Sequence, residues 1–155
     1  MMTVRAWPAG APTVRSAAMV AAGVTGVTAV FQLALALGAP WGQAAYGGAV
    51  AELPRELRVS SAVAAIVWPL VGLVVLRRAG WRVWAPLPAA ALPVASWGIV
   101  GLAGLAVVLN AITRSPLERA VWLPVCLVLF TTTLIVARGA GRRHSRGSST
   151  SASTS

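Results

Sequence analysis

The sequence predicts an all-α protein, a four-helix transmembrane bundle with both termini on the cytoplasmic side. Three observations lead to this prediction. Charged residues make up only 10% of the chain and hydrophobic residues 57%, with a mean hydropathy of +0.78, whereas a soluble domain is about 25% charged. Four apolar runs are long enough to cross a bilayer. The segments that would lie on one side of the membrane hold more arginines than the segments that would lie on the other side.

The four apolar runs define the predicted spans. A spanning helix needs about 20 mostly apolar residues, and the runs cover residues 17–37, 59–76, 89–109 and 121–137. The second and fourth runs are short, and each can gain a first helical turn, from residues 54–58 and 115–120. The transmembrane domain at 17–137 follows a cytoplasmic arm at 1–16. It precedes a basic tail at 138–155, whose Gly, Ser, Thr and Arg residues predict disorder.

The first run has a second interpretation, as a secretory signal peptide. Arg5 and Arg15 precede it, and small residues stand near its end. The apolar region of a signal peptide is usually about 7–15 residues, which is shorter than this run, and Pro40 lies just after the only suitable cleavage site. An uncleaved span is therefore favoured.

The orientation follows from the excess of arginine that cytoplasmic segments carry. The arm, the second connection and the tail contain nine arginines: Arg5, Arg15, Arg77, Arg78, Arg82, Arg138, Arg142, Arg143 and Arg146. The first and third connections contain four: Arg55, Arg58, Arg114 and Arg119. An N-in, C-in, multi-pass protein of the bacterial plasma membrane is predicted. Its tail would attract anionic lipids at the cytoplasmic face, at about 1 kcal/mol for each arginine.

Several chemistries are disfavoured by the composition. The net charge of +10 is spread over short segments between spans, which does not indicate a nucleic-acid partner. The single cysteine, Cys126, cannot form an internal disulfide, and the sole histidine, His144, lies in the tail, outside any position for a haem held between helices. No ionisable residue lies within a span, which argues against proton-coupled export. The sequence predicts no catalytic residue, metal or cofactor.

Small residues and prolines within the spans predict how the helices pack. Small side chains let transmembrane helices approach closely, and two such stripes are Ala18, Ala22 and Gly26, and Gly98, Gly101 and Gly104. Gly101 is therefore expected at a helix contact, and Trp68 and Trp97 between helices. Gln32, the one strongly polar residue deep in a span, is expected to join helices. Thr131, Thr132 and Thr133 either bond carbonyls freed by Pro69, Pro93 and Pro124 or bond their own helix.

The candidate functional site lies in the two outer connections. The first, residues 38–58, exceeds the roughly 2–8 residues that helix connections need, and its glycines, aromatics and prolines predict a compact interfacial loop. In the third connection, Ser115 and Glu118 form a predicted capping box with Pro116 at the first helical position. The candidate residues are Trp41, Gly47, Gly48, Arg55, Glu56, Arg58, Asn110, Glu118, Arg119 and Trp122.

The charged members of this set have two interpretations. All of them lie in connections at one membrane surface. A charge network beneath the Trp41 loop is therefore predicted, formed by Arg55, Glu56, Arg58, Glu118 and Arg119. The alternative is a solvated rim in which these charges do not interact. A charge network would also be able to hold an anionic head group if one arginine stayed unpaired.

Short motifs in the same connections resemble a family of proteins. The segments "LGAPWG", "GG", "LPRELR", Asn110 to Ser115 and "ERAVWLP" are similar to those of small, uncharacterised four-helix bacterial integral membrane proteins. The resemblance covers about Gln32 to Ala137. It implies a helical bundle and supplies no activity.

Three functions fit these features. The first is a non-enzymatic accessory or structural membrane protein with an outer docking surface, and the second a channel or transporter subunit that acts as an oligomer. The third is an enzyme that acts on a lipid or amphiphile at the outer face, which a deep pocket holding Glu56 or Glu118 would favour. The partners expected are the bilayer itself and a second copy or another membrane protein.

Overall fold

Four long helices account for most of the chain. The computed structural model of the protein describes residues 11–48 and 50–150, and the side chains of residues 12–140 within those ranges. All four helices are long and apolar enough to cross a membrane, which confirms the predicted all-α, four-helix fold, while the orientation of the termini stays a prediction. They are α1 (Ala11–Ala36), α2 (Arg55–Arg78), α3 (Leu92–Ile112) and α4 (Pro116–Thr150), with short 3-10 turns at Gly42–Ala44 and Ala89–Ala91.

The helix boundaries extend beyond the predicted spans. The extra first turns at residues 54–58 and 115–120 are present, since α2 begins at Arg55 and α4 at Pro116. α1 begins at Ala11, inside the segment predicted as an arm, of which residues 1–10 lie outside the described part of the chain. α4 is helical to Thr150 and so includes much of the predicted disordered tail, because no proline after Pro124 interrupts its backbone bonding.

Glycines end two of the helices in the same way. Gly38 and Gly80 have φ of 99° and 90°, a region in which a glycine pays no steric penalty. After α1, the Gly38 and Ala39 N–H groups donate to the Leu35 and Ala34 carbonyls, at 3.1 and 2.9 Å. After α2, Gly80 and Trp81 donate to Arg77 and Leu76. Both are Schellman caps, which pair carbonyls that a helix end leaves open.

α1 has the central place in the bundle, because it packs against both α2 and α4, while α3 packs mainly on α4. The main core consists of small and branched residues from all four helices: Val14, Ala17, Ala18, Ala21, Val75, Ala79, Ala103, Leu129 and Val136. α2 and α3 contact each other much less, around Val74 and Leu92 near the second connection. We call that end of the bundle the tail end and the opposite end the cap end.

The small-residue stripes contribute to packing only in part. Ala18 is fully buried, and Ala22 lies against α2 at Gly72, where an added Cβ would stand 2.5 Å from the Thr25 hydroxyl. Added Cβ atoms at Gly26, Gly98 and Gly101 would meet nothing within 4 Å, so the prediction that Gly101 lies at a helix contact is wrong. Three-residue steps drift around a helix of 3.6 residues per turn, and only the last glycine of that stripe, Gly104, reaches α4, at Phe130.

The other packing predictions are also confirmed only in part. Pro93 falls in the first turn of α3 and does not interrupt the helix, whereas Pro69 and Pro124 lie inside α2 and α4. Thr132 and Thr133 donate to carbonyls of the preceding turn of α4, which is the second of the two expected arrangements. Trp68 packs against the main core as predicted. Trp97 is 50% exposed, so its predicted position between helices is wrong.

Gln32 is the strongly polar side chain deep in α1. Its Oε1 atom is buried and accepts no hydrogen bond from the described residues. The expectation that Gln32 joins helices by this atom is therefore wrong. Thr25 and Thr28 on the same helix bond carbonyls of their own preceding turn, so hydrogen bonds of α1 hydroxyls add no interhelical link, and the contact with α2 rests on close packing at Gly72.

Candidate functional site

The two connections predicted to be the outer ones meet at the cap end. We call this unit the cap, and it comprises residues 37–48 and 50–54 of the first connection and residues 113–115 of the third. A short 3-10 turn over Gly42–Ala44 lies in the first connection. Gly42 donates to the Ala51 carbonyl at 2.8 Å, and a Cβ there would lie 2.4 Å from the Val50 carbonyl oxygen and 2.9 Å from Leu53. Only glycine fits this position, which was absent from the candidate set.

Three consecutive residues then turn the chain toward α4. Tyr46, Gly47 and Gly48 all have positive φ, of 52°, 85° and 73°, which is costly for Tyr46 because it carries a side chain. The Tyr46 hydroxyl lies 2.9 Å from the hydroxyl of Ser61, which is fully buried on α2. This bond ties the turn to α2. Tyr46 is not among the candidate residues, and nothing in the local sequence points to Ser61.

The turn brings the first connection against the start of α4. Trp122 Nε1 donates to the Ala44 carbonyl at 2.5 Å, and Gly47 N donates to Glu118 Oε1 at 3.4 Å. A Cβ at Gly48 would stand 2.6 Å from the Ser115 hydroxyl, so the close approach of the first connection to the Ser115 side chain requires a glycine here. The described residues thus bring Gly47, Gly48, Glu118 and Trp122 together, and the predicted meeting of the two connections is confirmed.

Aromatic side chains fill the space under the first connection. The Phe31 ring on α1 lies between two of the candidate tryptophans. Its centroid is 6.2 Å from that of Trp41 in a stacked arrangement and 4.9 Å from that of Trp122 in an edge arrangement. Such pairs contribute about 0.5–1.5 kcal/mol each beyond burial. Phe31 was not a candidate, because an aromatic residue in an apolar run gives no signal of its own.

Ser115 caps α4 as predicted, but the capping glutamate has other partners. The Ser115 hydroxyl accepts from Glu118 N at 3.2 Å. Glu118 Oε2 accepts from the Thr113 hydroxyl at 2.8 Å, and its other oxygen faces Gly47. The carboxylate therefore joins the two connections, because it accepts one hydrogen bond from each.

Two of the three arginines of the candidate set bond neutral groups. Arg58 Nε donates to the carbonyl of Ala36, the last residue of α1, at 3.1 Å, and Arg119 Nη2 donates to the Thr113 carbonyl. In the described part of the chain, the side-chain hydrogen bonds of Arg58, Glu118 and Arg119 go to backbone groups and to one threonine. These contacts do not form the predicted charge network, because α1 and the third connection offer carbonyls and hydroxyls nearer to these side chains.

Three candidates lie apart from this contact. Arg55 and Glu56 are exposed on the first turn of α2. Asn110 Nδ2 donates to the Ala106 carbonyl of its own helix at 2.9 Å and to Cys126 Sγ at 3.5 Å. Asn110 therefore belongs to the packing of α3 on α4 and takes no part in the cap.

A groove of about 500 Å³ lies beside the cap, between the end of α1 and the start of α2. Its lining consists of two arginines and three small or branched apolar residues: Ala36, Arg55, Arg58, Val59 and Ala62. None of these residues carries a carboxylate, so neither Glu56 nor Glu118 is available to act as an acid or base within this groove.

Metal ligands and known relatives offer no further guide to the chemistry. In the described ranges, no three His, Cys, Asp or Glu side chains are grouped so that they would hold a metal ion. No family model, curated protein or solved structure matches this chain. The resemblance to small four-helix bacterial membrane proteins therefore stays a prediction, and the functional argument rests on the cap and the groove.

Proposed function

We propose that the protein is a non-enzymatic accessory protein of the bacterial plasma membrane, with its termini in the cytoplasm and its cap outside. In this proposal the exposed side of the cap docks an acidic outer segment of a partner membrane protein. The arginine distribution supports the orientation, since nine arginines lie in the arm, second connection and tail and four in the segments at the cap end. The resemblance to small four-helix bacterial membrane proteins agrees with a location in the plasma membrane.

The observation that carries the docking proposal is the bracing of the cap by neutral groups. Trp122 and Tyr46 join the first connection to α4 and α2 through hydrogen bonds to Ala44 and Ser61. A surface already held in one arrangement loses less conformational entropy on binding than a loose loop does. The bracing also leaves the charged side chains Glu52, Arg55 and Arg114 exposed.

The composition of the exposed surface indicates the chemistry of the partner. The segments at the cap end hold four arginines, all of them exposed, and three glutamates, of which Glu118 is only partly exposed. The exposed groups are therefore richer in guanidinium than in carboxylate. Trp41 and Tyr46 add half-exposed aromatic surface, and Trp, Tyr and Arg dominate binding energy at protein interfaces. An acidic segment complements this surface.

Site-specific photocrosslinking in the native membrane tests the proposal. A photoreactive residue at Gln43, exposed on the cap, should give one discrete adduct with a protein that has an acidic outer segment. A probe at Leu102, which is 69% exposed on α3, is the control for contacts with lipid and passing proteins. Arg114→Glu should weaken the Gln43 adduct, and Glu52→Arg should preserve or strengthen it. A Gln43 adduct no stronger than that at Leu102, or one that ignores both charge reversals, would refute the proposal.

A further inference from the structure

We propose that the groove beside the cap is a binding site for one phospholipid, whose phosphate lies between Arg55 and Arg58. The site concerns the membrane leaflet at the cap end, whichever side of the membrane that is. It shares Arg55 with the exposed charges at the cap end, but it does not depend on the docking proposal. The groove and the two guanidinium groups that line it are the observations on which this inference rests.

The groove residues share one face of α2. Arg55, Arg58, Val59 and Ala62 are spaced by three and four residues, which places them on a single helical stripe, with Ala36 of α1 opposite. The two arginines stand at the end of the helix and the two apolar residues lie deeper along it. Polar head groups and acyl chains follow each other in that order from the bilayer surface inward. The stripe therefore has the polarity of a lipid.

Two arginines line this groove, and none of the lining residues carries a carboxylate. Like charges three residues apart on a helix destabilise it, and neither Glu56 nor Glu118 lines this groove. Glu56 follows Arg55 directly in the chain, and consecutive residues do not face each other on a helix. A phosphate accepts hydrogen bonds from two guanidinium groups at once and removes their repulsion.

Arg58 is already held in position for such a contact. Its Nε donates to the Ala36 carbonyl, which uses only one of its N–H donors. Gly38 makes room for the guanidinium, because a Cβ there would stand 3.2 Å from Arg58 Nη2. The bond to Ala36 also places a positive charge at the carboxyl end of α1, where the helix dipole favours it. The arginine thus has a fixed orientation before any ligand binds.

The apolar part of the groove distinguishes a lipid from a soluble anion. Val59 and Ala62 are exposed beside the arginines, and they offer dispersion contacts to an acyl chain and nothing to a free phosphate. A soluble anion would gain only the two charge contacts, in competition with water and salt. The site therefore requires a phosphate and an acyl chain in the same molecule.

Native mass spectrometry of the purified full-length protein in detergent tests this site. Titration with dioleoyl phosphatidylglycerol should give one saturable adduct. Dioleoylglycerol, which lacks the phosphate, and inorganic phosphate, which lacks the chains, should neither bind comparably nor compete. Equal binding of dioleoylglycerol would overturn recognition of the phosphate, and full competition by inorganic phosphate would overturn recognition of a lipid.

Matched variants locate the adduct. Arg55→Gln should weaken phosphatidylglycerol binding by about tenfold, the loss expected for one charge-assisted hydrogen bond, and Arg114→Gln, which removes the same charge outside the groove, should leave it unchanged. Ala62→Phe, which fills the groove, should also weaken binding, while Val63→Phe on the next residue should not. Arg58→Gln is expected both to weaken binding and to lower thermal stability, because it also loses the bond to Ala36. It is therefore interpreted together with Arg55→Gln, which should melt like the wild type. Equal losses for Arg55→Gln and Arg114→Gln would reduce the effect to general surface charge and refute the site.

Discussion

Trp122 at the start of α4 donates its indole N–H to the carbonyl of Ala44, a residue 78 positions earlier in the chain. The bond links the first connection to the last helix, and the Phe31 ring packs against the same indole. No sequence pattern relates these two positions, yet the contact determines how the cap sits on the bundle. Its loss is therefore the most direct test of whether the cap is braced.

Trp122→Phe should lower the free energy of unfolding by about 1–3 kcal/mol. The variant keeps an aromatic ring beside Phe31 but leaves the Ala44 carbonyl without its donor, and an unsatisfied, partly buried carbonyl carries a penalty of this size. Thermal unfolding in mild detergent measures the effect. Trp84→Phe is the control, since Trp84 is 68% exposed and a change there should stay within about 0.5 kcal/mol.

The Tyr46 and Ser61 pair should show strong coupling in a double-mutant cycle. Tyr46→Phe leaves the Ser61 hydroxyl buried without its 2.9 Å partner, and Ser61→Ala removes the other half of the same bond. Replacing both partners should destabilise the protein by less than the two single changes added together. Purely additive melting shifts would mean that the hydroxyl contact contributes nothing to the cap.

Substitution by alanine should lower stability at Gly72 but not at Gly101. Gly72→Ala should destabilise the protein by about 1–3 kcal/mol, because its Cβ would meet the Thr25 hydroxyl at 2.5 Å. Gly101→Ala should be neutral or stabilising by up to about 1 kcal/mol, because its Cβ meets nothing within 4 Å and alanine favours the helix. Melting of the two variants beside wild type in one detergent gives the comparison. Destabilisation at Gly101 would indicate that a neighbouring copy packs on α3.

Charge reversal at Arg58 and Glu118 should give independent effects. Arg58 bonds the Ala36 carbonyl and Glu118 bonds Thr113 and Gly47, so each variant loses its own contacts. Arg58→Glu and Glu118→Arg should therefore destabilise additively within about 0.5 kcal/mol. Rescue of one reversal by the other would contradict the contacts described here and restore the charge network predicted from the sequence.

The predicted topology can be tested by labelling and fusions together. In a Cys126→Ala background, Gln43→Cys should react with a membrane-impermeant thiol reagent applied to intact cells, and Arg82→Cys should react only after lysis. A reporter fused after Ser155 should behave as cytoplasmic. These sites avoid Tyr46 and Ser115, where an insertion would break the cap. External labelling of Arg82→Cys would overturn the arginine count.

The helices were predictable because their cause is local, and the site was predictable only in part. Apolar length predicts a span, and Ser115, Pro116 and Glu118 mark the start of α4 within three residues of sequence. The meeting of the two connections also followed, since alternating spans must bring them to one surface. The partner of each side chain did not follow. Whether Glu118 meets an arginine or Thr113 depends on distances that arise only when four helices have packed.

The prediction that Gly101 lies at a helix contact was wrong for a similar reason. Gly101 and Gly72 look alike in sequence, since each stands in an apolar run between a valine and a leucine. Only the rotation of each helix about its axis decides that Gly72 faces Thr25 and that Gly101 faces outward. That rotation is set by the whole bundle, including the contacts of α1 with two neighbours, and no spacing within α3 encodes it.

The central place of α1 imposes an order on assembly. α1 is made first, and one of its faces can pack as soon as α2 follows, at the Thr25 and Gly72 contact. Its other face, which includes Val14, meets α4 at Gly139, near the end of the chain. Until synthesis reaches that point, this face has only lipid or an insertion factor to cover it. A ribosome stalled after α3 would therefore leave three of the four helices in place without a closed cap. Such a truncated chain should be recognised and degraded by membrane quality control.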